Sequence, residues 1–250
     1  MKTIKISGSA AEAFIGGTIQ LKATVSPKSA ANKAVTWTSS NKKIATVSSK
    51  GLVKGIAKGT VTITAKARDG SGVKAAFKVK IKQPVTQVKL SKTQAAVLKG
   101  KTLKLTATVA PKTANLRTVT WTSSNKKIAT VTADGVVKGI AKGTVTITAK
   151  AKDGSGVKAT CKIAVRQPVT KLTISKTSVT VKKGKSVTLK VTATPDSAYN
   201  KAVTWTSSNM KVATVTAKGV VKGVGKGTAV ITATAKDGSG KTVKCKVTVN

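Results

Sequence analysis

The chain has 250 residues, and its 47 lysine and arginine residues against 6 acidic residues give a formal net charge of +41. It has no histidine and a single glutamate, Glu12, so groups for general acid–base catalysis and for metal binding are scarce. We therefore expect no enzyme, no catalytic residues, no metal site and no cofactor. No segment has the roughly 18–20 apolar residues that cross a bilayer, and we expect no membrane span.

In chain order, short segments of alternating apolar and polar residues predict β-strands. In the segment 18–26, for example, Ile19 and Leu21 point to one face while Gln20 and Lys22 point to the other. About seven such strands in fewer than 100 residues predict an all-β, two-sheet antiparallel sandwich of the immunoglobulin (Ig) type. The predicted strands are 3–7, 18–26, 34–40, 43–49, 51–57, 59–67 and 74–82.

The same strand pattern returns twice. The stretch VTWTSSNKK occupies 35–43 and 119–127, and it recurs as VTWTSSNMK at 203–211, always 84 residues on. A period of this length predicts three tandem domains, at residues 1–84, 85–168 and 169–250. Each repeat has one tryptophan at the same place, and we interpret Trp37, Trp121 and Trp205 as core anchors. The net charge divides as +14, +14 and +13, so the charge belongs to the repeat.

The stretch AVTWTSSNKKIATVSSKGLVKGIAKGTVTITAKA at 34–67 resembles the bacterial Ig-like domain, group 2, a relative of the invasin and intimin repeats. The resemblance covers all three repeats. It implies β-sandwiches in tandem, in bacterial surface proteins and in some phage virion proteins, that serve as non-enzymatic spacers and adhesion modules. It also implies an extracellular location at the cell surface or cell wall, or alternatively in a virion.

The two cysteines, Cys161 and Cys245, occupy the same position in repeats two and three, where repeat one has Phe77. Equivalent core sites of separate domains cannot approach within the roughly 7 Å that a disulfide requires. We therefore expect two buried free thiols, with a reactive thiol or a dimer bridge as the alternative.

Two glycine-containing motifs are expected to be turns. DGSG recurs at 69–72, 153–156 and 237–240, and we expect a hairpin turn in which Asp caps the backbone. Calcium is the alternative, but each motif offers a single carboxylate. GIAKG at 55–59 precedes a strand, so we expect a turn there and not a phosphate-binding loop.

The lysine excess allows two interpretations: a surface that only keeps the protein dissolved, or a surface that contacts polyanions. Arginine and aromatic residues are rare, so nucleic-acid binding would be nonspecific and sensitive to salt. Teichoic acids, lipopolysaccharide phosphates and acidic glycans are equally suitable partners. The candidate contacts recur in each repeat beside glycine; they are Lys54, Lys58, Lys138, Lys142, Lys222 and Lys226.

The junctions between repeats contain Gln-Pro and no flexible linker, at Gln83-Pro84 and Gln167-Pro168. Proline limits the backbone, so we expect short, semi-rigid joints and a rod on the order of 100 Å long, from strands that rise ~3.3 Å per residue. We also expect the chain to be part of a longer protein that carries other domains.

Overall fold

The computed structural model describes residues 1–250, and the chain is built from β-strands and turns without any helix. Contacts group the residues into two compact units. One comprises 1–90, 107–120 and 149–159, and the other comprises 91–106, 121–148 and 160–250. The division runs through the middle repeat, and the predicted boundaries 1–84, 85–168 and 169–250 stay a prediction. The structure contains no helix of the length and apolarity that crossing a membrane would need.

Repeat one forms two four-stranded sheets that enclose a core. One sheet has the strand order β1-β3-β6-β5 and the other has the order β2-β8-β7-β4. Its strands are β1 (Thr3–Gly8), β2 (Glu12–Phe14), β3 (Thr18–Ser26), β4 (Val35–Ser39), β5 (Ala45–Val47), β6 (Leu52–Gly55), β7 (Gly59–Ala67) and β8 (Lys74–Lys82).

Repeat two has the same arrangement, except that the long third strand is divided into two. Its sheets have the orders β10-β17-β16-β13, β11-β15-β14 and β12-β9. Its strands are β9 (Gln87–Leu90), β10 (Gln94–Leu98), β11 (Thr102–Lys104), β12 (Ala107–Ala110), β13 (Val119–Ser123), β14 (Ala129–Val131), β15 (Val136–Gly139), β16 (Gly143–Ala151) and β17 (Lys158–Arg166).

Repeat three follows repeat two strand for strand, with the orders β19-β26-β25-β22, β20-β24-β23 and β18-β21. Its strands are β18 (Lys171–Ile174), β19 (Ser178–Val181), β20 (Ser186–Thr188), β21 (Val191–Thr194), β22 (Val203–Ser207), β23 (Ala213–Val215), β24 (Val220–Gly223), β25 (Gly227–Ala235) and β26 (Thr242–Val249).

The predicted all-β Ig-like sandwich is confirmed, and two details differ from the prediction. Each repeat has a short extra strand that pairs in parallel with the last strand of the repeat: β2 with β8, β10 with β17, and β19 with β26. The predicted strand at 43–49 is shorter, because only Ala45–Val47 is extended. Asn41 is the reason: its side-chain oxygen accepts a hydrogen bond from the Lys43 amide at 2.9 Å and holds a turn there.

The recurring TWTSSN sequence forms the same corner in each repeat. The Ser39 hydroxyl donates to the Ala45 carbonyl at 2.7 Å, which ties the end of β4 to β5. The Ser123 and Ser207 hydroxyls make the same bond to Ala129 and Ala213, each at 2.6 Å. This corner needs Ser and Asn at a fixed spacing to make its hydrogen bonds, which explains why the same residues recur in each repeat.

The core of each repeat is aliphatic. In repeat one Ile19, Leu21, Ile63 and Ile81 are almost fully buried between the two sheets. Cys161 and Cys245 take equivalent core positions in repeats two and three; both are completely buried and neither forms a disulfide, as predicted. Burial of this kind of side chain is the main favourable contribution to folding.

Candidate anion-binding surface

Three of the candidate lysines lie on the outer face of a sheet. Lys54 on β6 faces Thr18 on one neighbouring strand and Thr46 on the other, and its side chain is exposed. Lys138 and Lys222 occupy the same place on β15 and β24, and both are exposed. The neighbours of Lys54 across the sheet are small and polar, and the three exposed side chains can reach solvent.

The other three candidates lie where the chain crosses from one sheet to the other. Lys58, Lys142 and Lys226 each directly precede the first residue of a long strand, and all three are exposed. Lys58 differs from the others, because its ammonium donates to the Thr113 carbonyl of the following repeat at 3.2 Å. Lys54 and Lys58 therefore do not share one sheet face, although they are four residues apart. Lys54 lies on the face of the sheet, on a strand with a neighbour on each side, and Lys58 lies in the crossing between the two sheets.

Few of the basic groups are neutralised within the protein. Among the basic side chains, only Lys80, Lys82 and Lys201 form ion pairs with carboxylates, with Glu12 as the acid for the first two and Asp196 for the third. The pKa of Glu12 is lowered, chiefly by its hydrogen bond with Lys82. The remaining positive charge has no internal counter-charge, so small counterions or an external polyanion must balance it.

Each DGSG aspartate ties the turn near the end of its repeat to the first residue of the same repeat. Asp153 accepts a hydrogen bond from the Val85 amide at 2.6 Å, and Asp237 accepts one from the Val169 amide at 2.5 Å. Asp69 pairs in the same way with the amino group of Met1. Each motif is also a turn in which the Asp oxygen caps the Ser amide two residues on, as predicted. These carboxylates are therefore already bonded to donors and do not form a calcium-binding set.

One further basic feature was not predicted from the sequence. Lys66 on β7 lies directly opposite Lys74 on β8, on the outer face, and neither forms an ion pair. Repeat three has Thr234 opposite Thr242 at the same position. Like charges directly opposite each other destabilise a sheet. The spacing of 84 residues shows which positions are equivalent between repeats. It does not show which two lysines face each other, because that requires the strand register.

Specific contacts between consecutive repeats were also not predicted from the sequence. The side-chain oxygen of Asn115 accepts from the Gln83 amide at 2.7 Å, and the Asn115 amide donates back to the Gln83 carbonyl at 3.1 Å. At the equivalent place the Tyr199 amide donates to the Gln167 carbonyl at 2.8 Å, and the Arg166 guanidinium lies 3.9 Å from the centre of the Tyr199 ring. These contacts and the Gln-Pro sequence restrict both junctions.

The three tryptophans lie at the boundary of the core. Trp37 is partly buried and packs against both core clusters of repeat one, and Trp205 packs against the main cluster of repeat three. A Cβ atom at Gly51 would lie 3.1 Å from the Trp37 ring, so the ring covers a glycine turn as well as the sheets. The same contact recurs between Gly135 and Trp121.

Comparison with known proteins gives consistent similarities. The family model described as bacterial Ig-like domain (group 2) matches residues 1–77, 84–163 and 168–247. The chain is 33% identical over 168 residues to an uncharacterized protein of Clostridium acetobutylicum, a match that covers 67% of this chain and 17% of that protein. It is 35% identical over 171 residues to an Ig-like virion protein of Serratia phage KSP90, with 67% and 66% covered.

Among solved structures, the chain resembles invasin, described as a bacterial integrin-binding protein. The sequence identity is 16% and the TM-score is 0.45, and the match covers 99% of this chain and 59% of that one. The chain spans 17% and 66% of the lengths of the two relatives named above.

Proposed function

Because the chain belongs to the bacterial Ig-like domain (group 2) family, we propose that it is a non-enzymatic structural and adhesion segment of a bacterial cell-surface protein. Its role is to space or present other domains outside the cell, at the surface or in the wall. The recurrence of tied junctions supports this role, because Gln83–Asn115 and Gln167–Tyr199 join successive repeats at equivalent places. A spacer has to resist bending at its joints, and these hydrogen bonds restrict such bending.

We take residues 1–84, 85–168 and 169–250 as the three modules of this segment, within a longer protein. Small-angle scattering tests the spacer role. An extended array of three sandwiches should give a maximum dimension on the order of 100 Å, since strands rise ~3.3 Å per residue. A maximum dimension near that of one compact 250-residue globule would contradict the spacer role.

The lysine-rich surface is proposed to contact anionic polymers of the cell surface or its surroundings. The observation that carries this proposal is the scarcity of internal counter-charges: carboxylates pair with only three of the basic side chains. Polyanions bind to such a surface by releasing their own condensed counterions, so binding needs no particular sequence or shape. Nonspecific binding to nucleic acids would follow from the same physics.

The contribution of the six candidate lysines can be measured against a matched set. One variant replaces Lys54, Lys58, Lys138, Lys142, Lys222 and Lys226 by glutamine. A control variant replaces Lys42, Lys43, Lys126, Lys127, Lys211 and Lys218, which are also exposed.

Both variants lose six positive charges, so the general electrostatic attraction to a polyanion is reduced equally in the two. Affinity for long heparin should fall further in the first variant if the six candidate lysines are a preferred contact. Equal losses in the two variants would contradict the choice of residues and leave the general role of charge in place.

A phage virion is the second candidate setting. The similarity to the Ig-like virion protein of Serratia phage KSP90, over two thirds of this chain, favours it. In that setting the segment would decorate a capsid or tail, and its basic surface would hold the particle close to anionic host polymers. Mass spectrometry of purified virions from the source tests this alternative, because peptides of this chain must then be present in stoichiometric amounts.

A further inference from the structure

The three repeats differ at one spot on the outer face of the sheet, beside the parallel pair of strands. In repeat one, Glu12 on β2 is the register partner of Lys80 on β8, and Glu12 forms ion pairs with Lys80 and Lys82. In repeat three the same register places Thr180 beside Thr248. Repeat one keeps a hollow of about 220 Å³ here, and Glu12 and Lys82 line it.

Repeat two has alanine at both positions, and the hollow there is larger. Ala96 on β10 is the register partner of Ala164 on β17. An open hollow of about 380 Å³ lies over these two small side chains, between the residues that precede and follow them on the strands. A hollow of this size can hold about one sugar ring with its substituents.

The rim of the hollow is basic and polar, and it contains no carboxylate. Lys162 and Arg166 lie on either side of Ala164 along β17, roughly 13 Å apart at a rise of ~3.3 Å per residue. Gln94 lies beside Lys162 across the parallel pair, and Thr144 completes the rim from β16. The acid that neutralises this place in repeat one is absent here, because Ala96 stands where Glu12 does.

Arg166 is held in position by an aromatic ring. Its guanidinium lies 3.9 Å from the centre of the Tyr199 ring, and Tyr199 is half exposed. A second hollow of about 310 Å³ adjoins the first through Ala96 and Arg166 and runs past Tyr199 to Lys236 and Asp237. The Asp237 carboxylate already accepts the bond from the Val169 amide. Stacking on the ring orients the planar fork of the guanidinium while its N–H donors stay available for a carboxylate, sulfate or phosphate.

We propose that the two adjoining hollows form one groove on repeat two, and that this groove binds an acidic polysaccharide. Arg166 and Lys162 would bind the acid groups of the polysaccharide, and Gln94 and Thr144 would bind its hydroxyls. The proposal deepens the proposed function, since it names a site and a ligand class within the anion-binding surface. A saccharide fits better than a nucleic acid, because the floor is two alanines and a single aromatic ring, which is no platform for stacked bases.

The chain itself supplies a matched variant. Ala96→Glu with Ala164→Lys installs the pair that repeat one carries in the same register, so the fold tolerates it and the net charge does not change. This double variant, called the filled variant below, gives the hollow the smaller size and the carboxylate that it has in repeat one, without altering nonspecific attraction. Arg166→Ala removes the main anchor, and Arg117→Ala serves as the control for losing one positive charge elsewhere. Tyr199→Asn copies Asn115 and removes the stacking that positions Arg166.

The measurement is calorimetric titration of the full chain with a heparin-derived octasaccharide, a hyaluronan octasaccharide and a single-stranded oligonucleotide, at about 150 mM salt, where unspecific attraction is largely screened. Loss of a charge-assisted bond should weaken octasaccharide binding about tenfold in Arg166→Ala. The filled variant should show a loss of similar size, because its new side chains occupy the hollow and its new carboxylate repels the acidic ligand. Arg117→Ala should bind as the parent chain does. The two saccharides report whether sulfate or carboxylate is preferred.

A second readout locates the ligand. The side-chain amide resonances of Gln94 should shift on addition of the octasaccharide in the parent chain and stay unchanged in the filled variant. Tyr199→Asn should weaken binding less than Arg166→Ala, because Arg166 is still present.

Equal affinity of the parent chain and the filled variant would overturn the proposal, and so would no binding by the parent chain. An oligonucleotide that binds as tightly and with the same sensitivity to Arg166→Ala would overturn the choice of a saccharide. Long heparin distinguishes this site from the general role of charge: if only the site is wrong, long heparin still binds both proteins equally at low salt.

Discussion

The Asp237 carboxylate accepts a hydrogen bond from the Val169 amide, 68 residues earlier in the chain, at 2.5 Å. Val169 directly follows the junction proline of repeat two, and Asp237 begins the DGSG turn between the last two strands of repeat three. Asp237 is largely buried, with 8% of its surface exposed. One carboxylate thus fixes both the entry of the chain into the repeat and the geometry of a hairpin.

The buried thiols provide local probes of stability. Burial raises the pKa of Cys161 and Cys245, and the nearby Lys92 and Lys176 oppose this only in part. Because the thiolate is the reactive form, neither should react with a maleimide in the native protein. Mass spectrometry after pulsed labelling in increasing urea should show each cysteine reacting only as its own repeat opens. Rapid labelling without urea would contradict the buried placement.

Asp237→Ala should lower the free energy of unfolding of repeat three by about 2 kcal/mol, since hydrogen bonds to a charged group contribute roughly 1.5–3 kcal/mol. In the pulsed-labelling experiment Cys245 should react at lower urea concentration, while Cys161 reports any change in repeat two. Asp134→Ala is the control, because the Asp134 side chain is exposed and only its backbone carbonyl accepts a bond, from Lys104. A shift of equal size in the control would show that the Val169 bond contributes nothing.

The same carboxylates predict how stability depends on pH. Partial burial would raise the pKa of Asp153 and Asp237, but hydrogen bonds from Ser155 and Ser239 and from the Val85 and Val169 amides outweigh it. The pKa of each is therefore held below the ordinary value of 3.8. A lowered pKa in the folded state stabilises the protein above the ordinary value, and this stabilisation is lost as the pH falls through the lowered one.

A variant with Asp153→Asn and Asp237→Asn should therefore be less stable than the parent chain at pH 7. The difference should persist down to about pH 5 and shrink below about pH 4, where the parent carboxylates gain protons. Urea titrations at a series of pH values measure it. A difference that stays constant down to pH 2 would mean that the charge of these groups is irrelevant.

The contact between glycine and tryptophan gives a mutation with a built-in comparison. Gly219 has φ +79°, and a Cβ there would lie 2.5 Å from the Leu189 carbonyl oxygen and 2.9 Å from the Trp205 ring. Gly219→Ala should lower the free energy of unfolding by about 3 kcal/mol or more. The steric overlap adds to the roughly 1–2 kcal/mol that a residue other than glycine loses in the left-handed conformation. Gly240 has φ +73° with open space around it, so Gly240→Ala should cost only the smaller amount.

Pulsed labelling of Cys245 measures both glycine variants in repeat three. If the two variants shift the urea midpoint equally, the close packing of Trp205 over the turn contributes nothing, and its interpretation as a core anchor loses its support.

Much of this architecture could be predicted from the sequence because it depends on local patterns. Alternation over 18–26 predicted a strand that the structure shows, and the 84-residue spacing of Cys161 and Cys245 predicted equivalent core positions. Serine, asparagine and glycine at fixed spacing predicted the turns. All of these features are set within a few residues, or by simple repetition.

The remaining features depend on partners that are distant in sequence. Ala96 and Ala164 carry no functional signal in the sequence, and only the parallel register of β10 and β17 places them side by side. The opposition of Lys66 and Lys74 likewise requires the antiparallel register, and the bond from Val85 to Asp153 joins residues 68 apart. Periodicity gives the face on which a residue lies but not the neighbour that it meets, so the groove on repeat two could not be predicted.

The central claim is that the uncompensated lysine surface binds polyanions, and the salt dependence of heparin affinity tests it most directly. Binding of long heparin to the whole chain is measured from about 50 to 200 mM salt. Several phosphate-like or sulfate contacts should make the affinity fall by orders of magnitude across this range. Undetectable binding at the lowest salt concentration, or an affinity that stays flat throughout, would contradict the claim and leave the charge with a role in solubility alone.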